Sequence, residues 1–202
     1  MNDFPTKKYK IIYADPPWQY DDKLKSDKVW GSAESHYDTM SLDELKQLPI
    51  QTICEEDSIL FLWVTWPLLK EGLELIESWG FNYRTCAFVW VKTFNGRTHR
   101  GMGRWSRGNT EPVLLAKKGK PQRISKRVSQ VFQSIEDFEY LPENIKSELK
   151  GHSKKPDMVR NKIIQLMGDI PRIELFARTK VHGWDVWGND EKLDLQPLES
   201  YY

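Results

Sequence analysis

Short apolar runs recur along the chain, and segments with helix signals separate several of them. The runs are KIIYA at 10–14, SILFLWV at 58–64, YRTCAFVWVK at 83–92, EPVLLAK at 111–117, RIELFA at 172–177 and GWDVWG at 183–188. The first run is apolar without strict alternation, which indicates a strand buried on both faces. Strands that alternate with helices predict an α/β fold with a mostly parallel central sheet flanked by helices.

Three segments carry helix signals. Ser41 and Glu44 in SLDELKQL have the spacing of a capping box. A second helix is predicted from Pro67 to Gly80, and a third from a cap at Ser153 to Gly168. In an open α/β sheet, ligands bind outside the carboxyl ends of the strands, so the residues that follow the strands are the first candidates for a site.

The composition predicts one soluble globular domain over residues 1–202, with 39% hydrophobic and 29% charged residues. No apolar run approaches the roughly 20 residues that a membrane span needs, so we expect no membrane contact. Cys54 and Cys86 lack the spacing of a metal site, and we therefore expect reduced thiols, no bound metal and a cytoplasmic location. Either a homo-oligomer or a hetero-oligomer is compatible with the sequence.

The net charge of +1 conceals a strong asymmetry along the chain. Residues 92–127 contain eleven Lys or Arg and one acid, Glu111, which gives this segment +10 and the remainder −9. Such a block predicts contact with a polyanion such as nucleic acid. Its first part, the Gly-rich loop 93–108, could close over a nucleic-acid backbone with Arg97, Arg100, Arg104 and Arg107 while Trp105 stacks on a base.

The strand KIIYA is followed at once by Asp15-Pro16-Pro17-Trp18. Two consecutive prolines supply no backbone N–H donors and fix the backbone, which ends the strand. The sequence suits methyl transfer from a sulfonium donor to the exocyclic amine of a base, whose lone pair is delocalised into the ring. The Asp15 carboxylate and the Pro16 carbonyl can accept hydrogen bonds from that amine, and Trp18 can offer a face for a flipped-out base.

Seven stretches, in order, resemble the MT-A70 family of S-adenosylmethionine-dependent adenine-N6 methyltransferases. They are YADPPW, HYDTMS, LFLWVT, FVWVKT, GMGRWSRGNTE, HSKKPD and RIELFAR, and the resemblance covers nearly the whole chain. It implies a Rossmann-like methyltransferase fold, S-adenosylmethionine as cofactor and a nucleic-acid substrate, with DNA preferred over RNA.

The resemblance also implies roles for individual residues. The catalytic loop is Asp15, Pro16, Pro17 and Trp18. The residues expected near the cofactor are Asp15, Lys155, Glu174, Phe176, Arg178, Asn189 and Asp190. Those expected near the substrate are Tyr37, Arg100, Arg104, Trp105, Arg107 and Glu111. Only fourteen residues precede Asp15, so a contact with the adenine of the donor is expected to be missing or to come from Asp3 and Phe4.

Other functions remain open on the sequence. Methylation of cytosine N4 needs the same amine chemistry, and RNA adenosine is an alternative substrate. A non-catalytic nucleic-acid-binding subunit of a methyltransferase complex is the alternative without enzyme activity, and the intact Asp15 loop speaks against it. Methylation of cytosine C5 is disfavoured because it needs a nucleophilic cysteine after a proline, whereas Cys54 and Cys86 follow Ile53 and Thr85.

Overall fold

Ten strands and three α-helices make up the part of the chain that the structure, a computed structural model, describes: residues 3–19, 39–94, 97–98, 105–135, 155–188 and 195–196. The strands are β1 (Tyr9–Ala14), β2 (Cys54–Trp63), β3 (Asn82–Phe94), β4 (Arg97–Thr98), β5 (Thr110–Lys118), β6 (Val131–Ile135), β7 (Arg172–Leu175), β8 (Lys180–Val181), β9 (Asp185–Trp187) and β10 (Leu195–Gln196). The helices are α1 (Leu42–Gln47), α2 (Leu69–Ser78) and α3 (Met158–Met167). All six predicted strands are present.

Eight of the strands form one mixed sheet in the order β4-β3-β5-β2-β1-β7-β9, with β6 paired to β3. The strands β2, β1, β7 and β9 are parallel, which confirms the predicted α/β class with a largely parallel centre. The strand β5 is antiparallel to both β2 and β3. No helix pattern separates β3 from β5, and neighbouring strands without a crossover helix favour antiparallel pairing.

The segments that are candidates for a functional site lie at one end of this sheet. The strands β1, β2, β3 and β7 finish there, and β5 begins there, because β5 runs in the opposite direction. We call this the carboxyl end of the sheet. Asp15 directly follows β1, so the candidate catalytic loop lies where open α/β sheets bind their ligands.

Two apolar clusters cover the two faces of the sheet. Side chains of a strand alternate between faces, so Ile12 packs with Leu75 of α2 on one face, while Ile11 and Tyr13 pack with Ile163 of α3 on the other. The same alternation directs Asp15 toward the α3 face. The neighbouring strand β2 is divided in the same way between the two clusters.

The helix boundaries follow the predicted signals with two differences. The capping box is confirmed, since Ser41 Oγ accepts from the Glu44 backbone N–H and Glu44 accepts from the Ser41 N–H. A 3₁₀ turn at Trp66–Leu68 precedes α2, which therefore begins at Leu69 and not at the predicted proline. The helix α3 begins at Met158, and the predicted cap at position 153 lies outside the described residues.

Both longer helices end as predicted at glycines, which adopt the positive φ angles of 79° at Gly80 and 90° at Gly168. Among the described residues, no helix combines the length and the apolarity needed to cross a membrane. The single domain over residues 1–202 stays a prediction.

Candidate active site

The loop after β1 is fixed at both of its ends. The Trp18 backbone N–H donates to the Pro16 carbonyl at 2.9 Å, and the Met40 N–H donates to the Pro17 carbonyl at 2.8 Å. A carbonyl oxygen has two lone pairs, so the Pro16 carbonyl keeps capacity for a second donor. The two prolines and these bonds hold the loop in one shape, with Asp15 at its start.

The indole of Trp18 anchors this loop. It is only 8% exposed, belongs to the core cluster on the α2 face, and donates from Nε1 to the Trp63 carbonyl at 3.2 Å. Most of its surface packs within the protein, and its role as a stacking face for a flipped-out base stays a prediction. A large indole that follows two prolines packs best against the apolar end of β2, where its N–H also finds an acceptor.

Three residues from distant parts of the chain meet beside the loop. Lys155 Nζ lies 3.5 Å from Asp15 Oδ1 and 3.0 Å from Glu111 Oε2, so one ammonium group bridges two carboxylates. Glu111 is the second residue of β5 and Lys155 lies three residues before α3, so only the fold brings them together. From the sequence, Lys155 was predicted near the cofactor and Glu111 near the substrate. In the structure, the side chains of Lys155 and Glu111 are in direct contact.

Three residues that the sequence did not assign to the site complete this group: Lys92, Trp90 and Trp63. Lys92 Nζ lies 2.8 Å from Glu111 Oε1 and 4.9 Å from the centre of the Trp90 ring. Lys155 Nζ lies 5.3 Å from the centre of the Trp63 ring. The two indoles are 6.2 Å apart and edge-on, so they form an apolar floor under the two ammonium groups. The position of Lys92 at the end of an apolar strand was the available signal.

The two carboxyl groups differ in the direction of their pKa shifts. Burial raises the pKa of Asp15 above its usual value; Lys155 opposes this increase, and the charge of Glu111 adds to it. Burial also opposes ionisation of Glu111, but Lys155 and Lys92 outweigh it and hold the pKa of Glu111 below its usual value. The surroundings of Glu111 therefore favour its charged form, and Asp15 is the carboxyl group that takes up a proton more readily.

Behind this site, a buried ion pair joins α3 to β7. The carboxylate of Glu174, which is 7% exposed, accepts two hydrogen bonds from Arg160, at 2.6 Å from Nε and 2.7 Å from Nη2. Arg160 also donates to Asp157, at the start of α3. Glu174 was predicted near the cofactor; both of its oxygens contact Arg160, and its role at a cofactor stays a prediction. Arg160 was not predicted at the site. The sequence signal for it was a charged residue next to the apolar Val159.

The segment after β7 has an unusual backbone. Phe176 has a φ of 61°, the one positive value at a non-glycine residue in the described part of the chain. Its ring packs edge-on against Trp187 at 5.6 Å, and Phe4 packs against the same indole at 5.0 Å. Residues held in this region of φ and ψ are concentrated at functional sites. Arg178, two residues further on, interacts electrostatically with Asp15.

The remaining predicted site residues divide into two groups. Trp105 and Arg107 are exposed in the segment that leads into β5, so they lie on the side of the carboxyl end. The others lie outside the described residues, and these are Tyr37, Arg100, Arg104, Asn189 and Asp190. Within the described ranges, no group of three His, Cys, Asp or Glu residues could hold a metal ion.

The described residues of the basic block at 92–127 do not form one surface, and the contact of this block with a polyanion stays a prediction. Along β5, Val113 pairs with Trp63 near the carboxyl end, whereas Lys118 pairs with Ser58. Five residues of strand separate these pairs by about 17 Å. The Ile124 N–H then donates to the carbonyl of Leu166, near the far end of α3. The chain reverses at the carboxyl end, so the two halves of the block lie at opposite ends of the sheet.

The chain is similar to known methyltransferases. The family model described as MT-A70 matches residues 9–190. The chain is 37% identical over 210 residues to the Type II methyltransferase M.MunI of Mycoplasma sp, a match that covers 95% of this chain and 82% of the relative. It is 30% identical over 178 residues to the human N(6)-adenosine-methyltransferase catalytic subunit METTL3, covering 85% of this chain and 26% of the relative. An Arabidopsis thaliana N(6)-adenosine-methyltransferase MT-A70-like protein is also 30% identical, over 190 residues and 23% of its own length.

Proposed function

Because this chain belongs to the MT-A70 family of methyltransferases, we propose that it transfers a methyl group from S-adenosylmethionine to the N6 amine of adenine in DNA. The observation that carries the proposal is the Asp15 carboxylate, fixed beside two prolines and bridged through Lys155 to Glu111. DNA is the proposed substrate because the match to the Type II methyltransferase runs along most of that protein, while the matched adenosine methyltransferases share about a quarter of their length.

Asp15 and Pro16 provide the two acceptors that this reaction needs. The N6 amine of adenine is a poor nucleophile because its lone pair is delocalised into the ring. Hydrogen bonds from its two N–H groups to the Asp15 carboxylate and the Pro16 carbonyl would favour a pyramidal nitrogen whose lone pair points away from the ring. The charge of Asp15 matters most when the nitrogen becomes positive, since a fixed carboxylate then stabilises the transition state.

The residues around Asp15 also fit S-adenosylmethionine. The methionine part of this cofactor is a zwitterion, and both a carboxylate and a guanidinium lie at this edge, in Asp15 and Arg178. Phe176, in its constrained backbone conformation, and Phe4 supply apolar surface beside them. When bound, S-adenosylmethionine supplies a methyl group that its sulfonium has already activated. Asn189 and Asp190, just past the end of β9, are proposed to contact its ribose.

Lys155 links the Asp15 and Glu111 carboxylates in this proposal. Its positive charge opposes the mutual repulsion of the Asp15 and Glu111 carboxylates. Its Nζ is farther from Asp15, at 3.5 Å, than from Glu111, at 3.0 Å. Asp15 is thus the carboxylate that is easier to free for an incoming amine, while Glu111 keeps Lys155 in place.

Nucleoside analysis by mass spectrometry tests this function. Duplex DNA, single-stranded DNA and RNA are each incubated with the protein and S-adenosylmethionine carrying a deuterated methyl group, then digested to nucleosides. We expect deuterated N6-methyladenine from DNA and none with the Asp15→Asn variant. Deuterated N4-methylcytosine, or methylation of RNA alone, would replace the proposed substrate. No methylation of any of the three would overturn the function, provided that the protein is folded by circular dichroism.

A further inference from the structure

An exposed tryptophan lies at the carboxyl end of the sheet outside the group of charged residues. Trp66 follows the end of β2 by three residues, in the 3₁₀ turn before α2, and is 47% exposed. Its indole Nε1 donates to Thr110 Oγ1 at 2.9 Å, so the ring is held in one orientation. Its polar atom already has a partner, and the exposed part of the side chain is therefore mainly the apolar ring.

The hydrogen bond fixes where this ring stands relative to the site. Thr110 immediately precedes Glu111, the residue that binds Lys155. Side chains alternate along a strand, so Glu111 points to the α3 face with Asp15, and Thr110 points to the α2 face. Trp66 therefore lies at the same end of the sheet as the carboxylates but on the opposite face, about one residue away along the strand.

We propose that Trp66 stacks on a base that neighbours the target adenine in the nucleic acid, which makes it a substrate-positioning residue. This inference rests on the proposed function. A target adenine can reach Asp15 only when it is extruded or single-stranded, and its neighbour then loses the base on which it was stacked. A fixed indole face replaces that missing partner. A base is favoured as the occupant because the exposed Arg107 provides a cation at the same end of the sheet for an adjoining phosphate.

Stacking on a base accounts for the exposed, hydrogen-bonded indole of Trp66 better than packing within the protein does. Base–aromatic stacking contributes about 1–3 kcal/mol per base, and an indole that is already oriented loses little freedom on binding. The hydrogen bond to Thr110 holds the indole at the start of β5 and does not bury it. The predicted stacking residue Trp18 is buried, which leaves Trp66 and the fully exposed Trp105 as the exposed indoles of the described residues at this end.

The test is a double-mutant cycle between Trp66 and the bases beside the target. The probe is a fluorescent DNA oligonucleotide that the wild-type protein methylates, with its target adenine mapped. Each neighbour of that adenine is replaced in turn by an abasic residue, and Kd is measured by anisotropy. For the wild-type protein, one abasic position is expected to weaken binding about 10-fold. For Trp66→Leu, the intact oligonucleotide binds about 10-fold more weakly, and the same abasic position costs nothing further.

Two control variants separate stacking from a general loss of structure. Trp66→Phe keeps an aromatic face but loses the bond to Thr110, and it should recover most of the binding and of the coupling. Tyr83→Leu removes another exposed aromatic, 44% exposed, from the start of β3 at the opposite end of the sheet. It should leave both Kd and the abasic effect unchanged. The affinity for S-adenosylmethionine should be the same in all variants.

The outcomes distinguish this inference from the proposed function. If the wild-type protein methylates adenine but Trp66→Leu shows the full abasic effect at both neighbours, Trp66 contacts no neighbouring base and the inference fails alone. If Trp66→Leu and Tyr83→Leu weaken binding equally, the effect is non-specific and the inference also fails. If no oligonucleotide is methylated, the proposed function fails and the inference falls with it. Unchanged DNA binding with loss of a protein partner would assign the indole to a protein contact.

Discussion

Asp15 and Glu111 share one lysine, yet their ionisation acts on the fold in opposite directions. The pKa of Asp15 is raised by burial, so its contribution to stability is complete below its unfolded pKa and is lost as the pH rises through its higher folded pKa. Ionisation of Asp15 is therefore a cost to the fold that the proposed function requires. The site holds this carboxylate where a neutral side chain would be more stable.

Asp15→Asn should consequently separate stability from activity. The amide preserves the shape of the side chain but removes a charged acceptor, and we expect the single-turnover rate to fall about 100-fold or more. The melting temperature at neutral pH should stay equal or rise, because the cost of burying a charge disappears. Rapid-quench assays and thermal unfolding measure the two quantities. A variant within a few-fold of the wild-type rate would remove Asp15 from the proposed chemistry.

Glu111→Gln should act in the opposite way on stability. The pKa of Glu111 is lowered because Lys155 and Lys92 outweigh its burial, so its stabilisation is present above the unfolded pKa and lost as the pH falls through the folded pKa. The variant leaves two lysines without their shared carboxylate, and we expect a loss of about 1–3 kcal/mol near neutral pH. Urea unfolding should show this difference shrinking as the solution is acidified toward the unfolded pKa of about 4.3 and below. A difference that does not depend on pH would contradict the assigned charge.

At the scale of secondary-structure elements, the sequence predicted what depends on local signals. The capping box at Ser41 and the two terminal glycines indicated the helix ends, because each signal satisfies backbone groups within a few residues. Four strands were missed. The strands β4, β8 and β10 have two residues each, too few for a periodicity to be detected, and the five-residue β6 lies in a stretch for which no strand was predicted. The direction of β5 was also missed, because pairing between strands is decided by the whole sheet.

The pair Arg160–Glu174 is the strongest described link between two elements near the site. It joins α3 to β7 through two hydrogen bonds, with both side chains buried. Arg160→Met leaves Glu174 buried without a partner, and we expect a loss of about 3–5 kcal/mol in the free energy of unfolding. The double variant Arg160→Met/Glu174→Leu should recover most of this loss. Urea denaturation measures both, and additive losses in the double variant would show that the two side chains do not interact.

At the scale of the whole molecule, the site is assembled from parts that the sequence shows separately. Asp15, Glu111 and Lys155 were each singled out from their own stretch of sequence, and the fold then joins them through Lys155, whose Nζ lies within 3.5 Å of both carboxylates. That contact was not predictable from spacing, because 96 residues separate Asp15 from Glu111 along the chain. Trp18 shows the opposite. Its motif singled it out as a candidate site residue, but the burial of its side chain depends on where β2 ends, which the motif does not reveal.

The distribution of charge leads to the last prediction, since the fold divides the basic block between the two ends of the sheet. Arg107 lies beside the carboxyl end, and Arg100 and Arg104 precede it closely in the sequence. Lys117, Lys118 and Lys120 lie at or just past the other end of β5, about 17 Å away. Each variant replaces one set of three by alanine, so both remove the same charge. The first should raise the Kd for DNA and flatten its log–log salt dependence by about one unit for each phosphate that the protein no longer binds. The second should leave the salt slope unchanged, because those lysines lie at the end of the sheet away from the site.

Equal slopes for the two variants, measured by anisotropy across a salt series, would show that net charge alone attracts the DNA. A change confined to the second variant would place the DNA at the opposite end of the sheet.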